Sequence, residues 1–230
     1  MSERRTSARG AETRERILDA AERLMAERGI SGVSLNEINT AAGQRNTAAL
    51  HYHFGGREEL VRAILRRHGA WLRARHDELY AALDGREPST RELVEVIVLP
   101  VAEYVAEGPS ARAAIRIWVS AINRPELAVE EIQGLVDATL TRAARVLIER
   151  MPETMPRPLA VARLVTAAQA ALHVLADRAV LEDAPEPRRG DLPLPLVAAN
   201  LVDMTVAALT APVSETTRAA AVGALDPASA

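Results

Sequence analysis

The sequence predicts an all-α fold, and three observations predict it. Strand-like alternation of apolar and polar residues is missing along the whole chain. Ala, Leu, Arg and Glu dominate the composition, and all four favour helices. Apolar residues recur three and four apart between capping signals and glycine or proline breaks. With 48% hydrophobic residues in a chain of 230, the helices have enough apolar surface to close a sizeable core.

The first helix spans Thr13 to Arg28, with Ile17, Ala21, Leu24 and Met25 on one face, and ends at Gly29. Ser34-Leu35-Asn36-Glu37 is a capping box, so a second, short helix starts at Leu35 with Leu35 and Ile38 facing inward. Gly43 breaks it, and a third short helix covers about Thr47 to His53. Gly55-Gly56 opens a long fourth helix, with Leu60, Ile64, Leu65, His68, Trp71, Leu72, Leu79 and Leu83 at helical spacing as far as Gly85. A second capping box, Ser89-Thr90-Arg91-Glu92, starts the next helix, which Pro100 should kink.

Gly108-Pro109-Ser110 and Asn123-Arg124-Pro125 bound a helix containing Trp118 and start another that reaches Arg150. Proline-rich breaks at 152–158 and 185–195 isolate helices over Leu159–Glu182 and Leu196–Leu209. The residues after Pro212 are small, polar and aperiodic and read as disordered. About nine helices result, with no internal repeat.

Charge is unevenly spread. Met1 to His76 carries 14 Arg against 9 acidic residues, a net of +5, and the remainder is −8, which together give the overall −3. The basic third is where anion binding is expected. Cysteine is absent, which removes disulfides, thiolate metal sites and cysteine nucleophiles. The polar N-terminus has no apolar signal core, and no apolar run reads as long enough to span a bilayer, so a cytoplasmic protein is expected.

Chemistry concentrates in AAGQRNTAALHYHFGGREEL, residues 41–60. Two short helices joined by a turn at Gly43, braced by a preceding helix, make a helix-turn-helix. Its second helix is short enough to enter a major groove about 12 Å wide. Gln44, Arg45, Asn46, Thr47, His51 and Tyr52 can meet base edges and phosphates. Helix starts at Ser34 and at Gly55-Gly56-Arg57 offer free N–H groups to phosphates. Ala41, Ala42, Leu50 and Phe54 can pack inward on Leu24 and Ile38.

The run from Thr13 to Gly29, Val33-Ser34, Ala41-Ala42-Gly43, and His53-Phe54 followed by Arg57-Glu58-Glu59-Leu60 resembles the TetR family of bacterial transcriptional regulators. The resemblance covers about Thr13 to Leu65; beyond it the chain agrees only in being helical. It departs at one place. His51 stands where the family usually has Tyr, with Tyr52 next to His53, and one extra residue lies between Gly43 and Phe54. A residue added within a helix turns its face by about 100°. A subset of the family looks similar to the Gln44-Arg45-Asn46 form, which places the extra residue in the turn.

The resemblance implies a DNA-binding set of Ser34, Asn36, Gln44, Arg45, Asn46, Thr47, His51, Tyr52 and Arg57. Ser34, Tyr52 or His51, and Arg57 would hold phosphates, and Gln44 to Thr47 with His51 would face bases. It divides the chain into a disordered basic arm at 1–12, a helix-turn-helix domain at 13–56, a larger ligand-binding and dimerisation domain at 57–211, and a disordered tail at 212–230. Arg4, Arg5 and Arg9 of the arm would lie along a minor groove or simply in solvent. The implied partners are an inverted-repeat duplex operator, a second copy through the two Ala-rich C-terminal helices, and a small-molecule effector of unknown identity. Tyr104, Trp118, Asn123, Gln133, Gln169 and His173 are candidate pocket residues, although for any one of them ordinary helix packing is the better reading.

His51 and His53 lie two apart and cannot share a metal without distortion, since zinc helices space ligands four apart. His76-Asp77 matches the adjacent pair of metal-dependent His-Asp hydrolases, but only His173 remains downstream as a further histidine. No serine elbow, phosphate loop or paired-carboxylate motif is present. The expectation is a ligand-responsive homodimeric repressor with no metal, no cofactor and no enzymatic activity. The alternatives are a DNA-binding regulator that senses nothing and a helical His-Asp hydrolase.

Overall fold

The structure is a computed structural model that describes residues 2–44, 48–83, 85–122, 124, 138–184, 186 and 191–225; for 2–9, 48 and 222–225 it describes the backbone alone. Among the described residues the fold is all helical. In chain order the helices are α1 (Ser2–Arg28), α2 (Leu35–Ala41), α3 (Ala48–Phe54), α4 (Arg57–Ala81), α5 (Thr90–Ala106), α6 (Pro109–Ile122), α7 (Ala138–Glu149), α8 (Arg157–Glu182), α9 (Leu194–Thr210) and α10 (Glu215–Leu225).

Two compact units divide the chain. The first gathers Met1–Leu72, Tyr104–Leu135 and Ala176–Pro185; the second holds Arg73–Glu103, Val136–Leu175 and Glu186–Ala230. In the first, Ile17, Leu18, Ala21 and Met25 of α1 pack with Ile38 of α2, Leu50 and Phe54 of α3, and Leu60, Val61 and Ile64 of α4. Ile117 and Ala121 of α6 complete that core, so the unit extends beyond the three-helix segment expected at 13–56. The buried face of α1 matches the periodicity of its apolar residues, and each fully buried side chain of this size contributes about 1.5–3 kcal/mol. Arg67 of α4 gathers the acidic face of α1, reaching Glu15 at 2.6 Å, Asp19 at 2.7 Å and Glu22 at 3.3 Å.

In the second unit Leu93, Val94 and Val98 of α5, Leu147 of α7, Leu164 and Leu175 of α8, and Leu201, Val202 and Leu209 of α9 form a core. The capping box at the start of α5 is present: the Ser89 N–H donates to Glu92 Oε2 at 2.7 Å, and the Glu92 N–H donates to Ser89 Oγ at 3.2 Å. Arg86 and these Ser89 contacts pull the Glu92 pKa down to about 2. α5 continues as one helix through Pro100.

Three features differ from the sequence expectation. α1 begins at Ser2, so Arg4, Arg5 and Arg9 continue the first helix where a loose arm was expected. Arg, Glu and Ala are good helix formers, and a helix already nucleated by a buried segment propagates into such sequence. The Ala-rich stretch after Pro212 also forms a helix, α10, with Ser214 Oγ accepting the Thr217 N–H at 3.2 Å as a cap. The third difference concerns α8, which is long and apolar enough to cross a bilayer by length and composition, against the expectation that no segment is. Between Leu159 and Ala176 its only full charge is Arg163.

Candidate nucleic-acid interface

The local geometry around α2 and α3 follows from its caps and glycines. Ser34 Oγ accepts the Glu37 N–H at 3.2 Å while Glu37 Oε2 accepts the Ser34 N–H at 2.8 Å, which closes the expected capping box. Arg28 of α1 donates to the same carboxylate at 2.9 Å. The Ser34 backbone and hydroxyl contacts, then Arg28, hold the Glu37 carboxyl down at about 2. Gly43 follows α2 at φ 69°, a left-handed conformation that lets the chain turn from α2 toward α3 at little steric cost. Gly55 does the same at φ 73° between α3 and α4.

With seven residues, α3 is about 10 Å long. Leu50 and Phe54 sit in the core, and Arg14 of α1 stacks its guanidinium over the Phe54 ring at 4.9 Å from the centroid. The opposite face is open. Tyr52 is 85% exposed, and its ring meets His53 edge-on at 5.1 Å. His51 is exposed, and its Nδ1 lies 2.9 Å from the Gly55 carbonyl oxygen. A carbonyl only accepts, so Nδ1 carries the proton.

The expected contact residues divide into three groups. Ser34, Asn36, His51 and Tyr52 are exposed along α2 and α3. Gln44 is half-buried, its side-chain amide donating to the Ala42 carbonyl at 3.2 Å and its N–H to the Asn39 carbonyl at 2.9 Å. Arg45, Asn46 and Thr47 lie outside the described residues. Arg57 differs from expectation. Its Nη1 donates to the carbonyls of Ile30 and Val33, the latter at 2.7 Å, and so braces the loop between α1 and α2 from the first turn of α4. The sequence places Arg57 beside a helix start suited to a phosphate, and nothing in it signals two carbonyls 24 and 27 residues away.

Of the candidate pocket residues, Tyr104 and Trp118 belong to the first unit, where Tyr104 is buried and Trp118 packs against the core. Gln169 and His173 lie on α8 within the second unit, His173 Nδ1 donating to the Gln169 carbonyl at 2.7 Å. Asn123 and Gln133 are outside the described residues. Two shallow surface hollows flank α1 and α2: Arg16, Asp19, Ala20 and Arg23 line one with Ala41 and Ala42, and Leu24, Arg28 and Asn36 line the other with Thr40. Neither is lined by a candidate pocket residue. In the second unit, His76 is buried and Asp77 accepts the Thr139 hydroxyl.

Residues 17–64 match the family model described as bacterial regulatory proteins, tetR family. The N-terminal segment is a TetR-type helix-turn-helix domain. Over 84 residues the chain is 36% identical to the HTH-type transcriptional regulator TtgR of Pseudomonas putida, covering 36% of this chain and 38% of TtgR. Over 64 residues it is 42% identical to the HTH-type transcriptional repressor BepR of Brucella suis, covering 28% of this chain and 30% of BepR. The chain thus spans only about a third of the length of these curated relatives.

Outside the TetR-type domain the likeness is one of fold. NalD of Pseudomonas aeruginosa, described as the secondary repressor of the MexAB-OprM multidrug efflux pump, superposes with a TM-score of 0.58 at 21% identity over 88% of this chain and 100% of that one. The probable transcriptional regulatory protein RHA5900 superposes with a TM-score of 0.52 at 21% identity over 86% of this chain and 100% of that one. The larger helical region beyond the TetR-type domain therefore has the expected architecture.

Proposed function

We propose that the protein is a sequence-specific DNA-binding transcriptional regulator that works as a homodimeric repressor and leaves its operator when a small molecule binds. The observation that carries the DNA reading is the exposed face of α3, where His51 and Tyr52 stand outside a core that fixes the other face through Leu50 and Phe54. That helix enters a major groove, and phosphate contacts from the N-terminal turn of α2, with the Ser34 hydroxyl, set its register. Asn36 lies beside Ser34 on the same exposed turn. The N–H groups of Leu35 and Asn36 precede the first intrahelical bond and are the donors a phosphate would meet.

Arg45, Asn46 and Thr47 read bases in this proposal together with His51. Repression is supported by the likeness to BepR, a transcriptional repressor.

The exposed apolar side chains of α8 and α9 support a homodimer: Val161 and Val165 on α8, with Leu196 and Met204 on α9. Only 28% of the most apolar stretch of α8 is buried within the chain. A second copy related by a two-fold axis would cover such a face and fix two recognition helices at half-site spacing. One seven-residue helix offers too few base contacts to compete with a genome, which is the physical reason for pairing.

The effector reading takes Tyr104, Trp118, Asn123, Gln133, Gln169 and His173 as candidates. A coupling of about 1–3 kcal/mol would lower operator affinity some 5–150-fold, enough to free a promoter. Such a transition needs no catalytic group, and relatives named as transcriptional regulators favour this over a His-Asp hydrolase. The testing experiment is selection of bound fragments from sheared genomic DNA. An inverted repeat shared by the recovered fragments is the expected result, and recovery indistinguishable from random fragments would end the proposal.

A further inference from the structure

The short helix α3 carries an aromatic ring at the point farthest from its core. Successive side chains of an α-helix are turned by about 100°. Leu50 is fully buried and Phe54 is 6% exposed, and together they define the side of α3 that faces the core. Tyr52 lies two residues from each, so it stands about 160° from both. Among the α3 residues whose side chains are described, none is turned so far from that pair. Tyr52 is accordingly 85% exposed, with exposed His51 on one side of it and half-buried His53 on the other. His51 occupies the place where the family usually has Tyr, so the phenol here is turned by about 100° from that place, toward the tip.

The ring is anchored. It meets the His53 ring edge-on, at 5.1 Å between centroids and 81° between planes. His53 in turn meets Phe54 at 6.5 Å, and the Arg14 guanidinium of α1 lies over the Phe54 ring at 4.9 Å. A line of ring contacts therefore runs from the core to the tip of α3. Ring pairs at such separations favour particular relative orientations, so the phenol meets a partner with its freedom already reduced.

A helix about 10–12 Å in diameter fits a major groove about 12 Å wide. Phosphates line the rims of that groove and base edges line its floor, which is what the tip of an inserted helix meets. Every base pair presents hydrogen-bond donors and acceptors there, and thymine alone adds an apolar group, its C5 methyl. A phenol ring laid on donors and acceptors strips water from them and returns no bond. Laid on a methyl group, it removes apolar surface from water on both sides.

We propose that Tyr52 is a specificity-determining residue that selects thymine at one position of each half-site through the C5 methyl group. The inference rests on the DNA-binding reading and deepens it by assigning the base that the tip of α3 chooses. The ring carries the selection, and the hydroxyl is dispensable to it.

The test takes the operator recovered by fragment selection and replaces its thymines with deoxyuridine, one symmetric pair at a time. That exchange removes the methyl group and keeps every hydrogen bond of the base pair. Binding of the full chain to each duplex is read by fluorescence anisotropy at one fixed salt concentration. At one thymine position the unaltered protein should lose about fourfold in affinity per half-site, the worth of one buried methyl. Tyr52→Phe should show the same loss, and Tyr52→Ala should bind the thymine and deoxyuridine duplexes alike. Tyr52 is exposed, so neither exchange should move the urea midpoint. A methyl response that persists in Tyr52→Ala would overturn the inference and leave DNA binding intact, as would a scan in which no thymine responds. Loss of the response in Tyr52→Phe would also overturn it, since the hydroxyl would then carry the selection. Fragments recovered at random would remove the DNA reading and this inference together.

Discussion

Arg57 is the residue whose role the structure changes most, and replacing it with Met isolates that role. Methionine keeps an unbranched apolar stem and removes the guanidinium. Both N–H bonds of Nη1 go to carbonyls of buried residues, Ile30 and Val33, in the loop that sets the angle between α1 and α2. Hydrogen bonds from a charged donor contribute about 1.5–3 kcal/mol. Arg57 is half-buried, so water can partly replace it, and the expected loss is about 2 kcal/mol. Both tryptophans of the chain, Trp71 and Trp118, lie in the first unit, so their fluorescence follows its unfolding. With a urea m-value of about 2 kcal/mol/M, the midpoint should fall by about 1 M at unchanged slope. A phosphate-binding Arg57 behaves differently: its removal lowers the slope of log affinity against log salt by about 0.9 and leaves the midpoint in place. That second pattern would refute the assignment of Arg57 as a brace.

Four further outcomes are expected. Glu22→Gln should flatten acid unfolding: a carboxyl held below its ordinary 4.5 contributes stability that is complete above that pH and is lost as pH falls through the lower folded value, so parallel acid profiles for the two proteins would contradict its buried bonds to His68 and Ser110. Ser34→Ala should cost about 1 kcal/mol in the urea midpoint by removing the acceptor of the Glu37 N–H, and an unchanged midpoint would mean the cap contributes nothing. Val165→Asp should convert a dimer to monomers in sedimentation, whereas an unaffected dimer would move the interface away from this face of α8. Thr47→Ala should narrow the difference between operator and scrambled duplexes; equal weakening on both would put the extra residue inside the recognition helix.

Much of the head is legible because its determinants are local. The Ser34–Glu37 box fixes the start of α2 within four residues, Gly43 and Gly55 announce the turns, and the three-four spacing of Ile17, Ala21, Leu24 and Met25 picks the buried face of α1. The ends of α1 and α10 are less legible because Arg-, Glu- and Ala-rich sequence is compatible with both helix and solvated coil. For α1 what decides is that the packed segment next to it nucleates the helix, and local composition does not state that.

The functional site splits along the same line. Exposure of His51 and Tyr52 follows from Leu50 and Phe54 facing inward, a matter of period within one short helix. The roles of Arg57 and Glu22 depend on partners 24 to 88 residues away, and no local pattern encodes such pairings. Glu22 even reads as one more solvent-facing acid beside Arg23 on an amphipathic helix. Its carboxylate is instead met by His68 and Arg67 of α4 and Ser110 of α6. A head that borrows its fourth wall from a later helix cannot move independently of that helix.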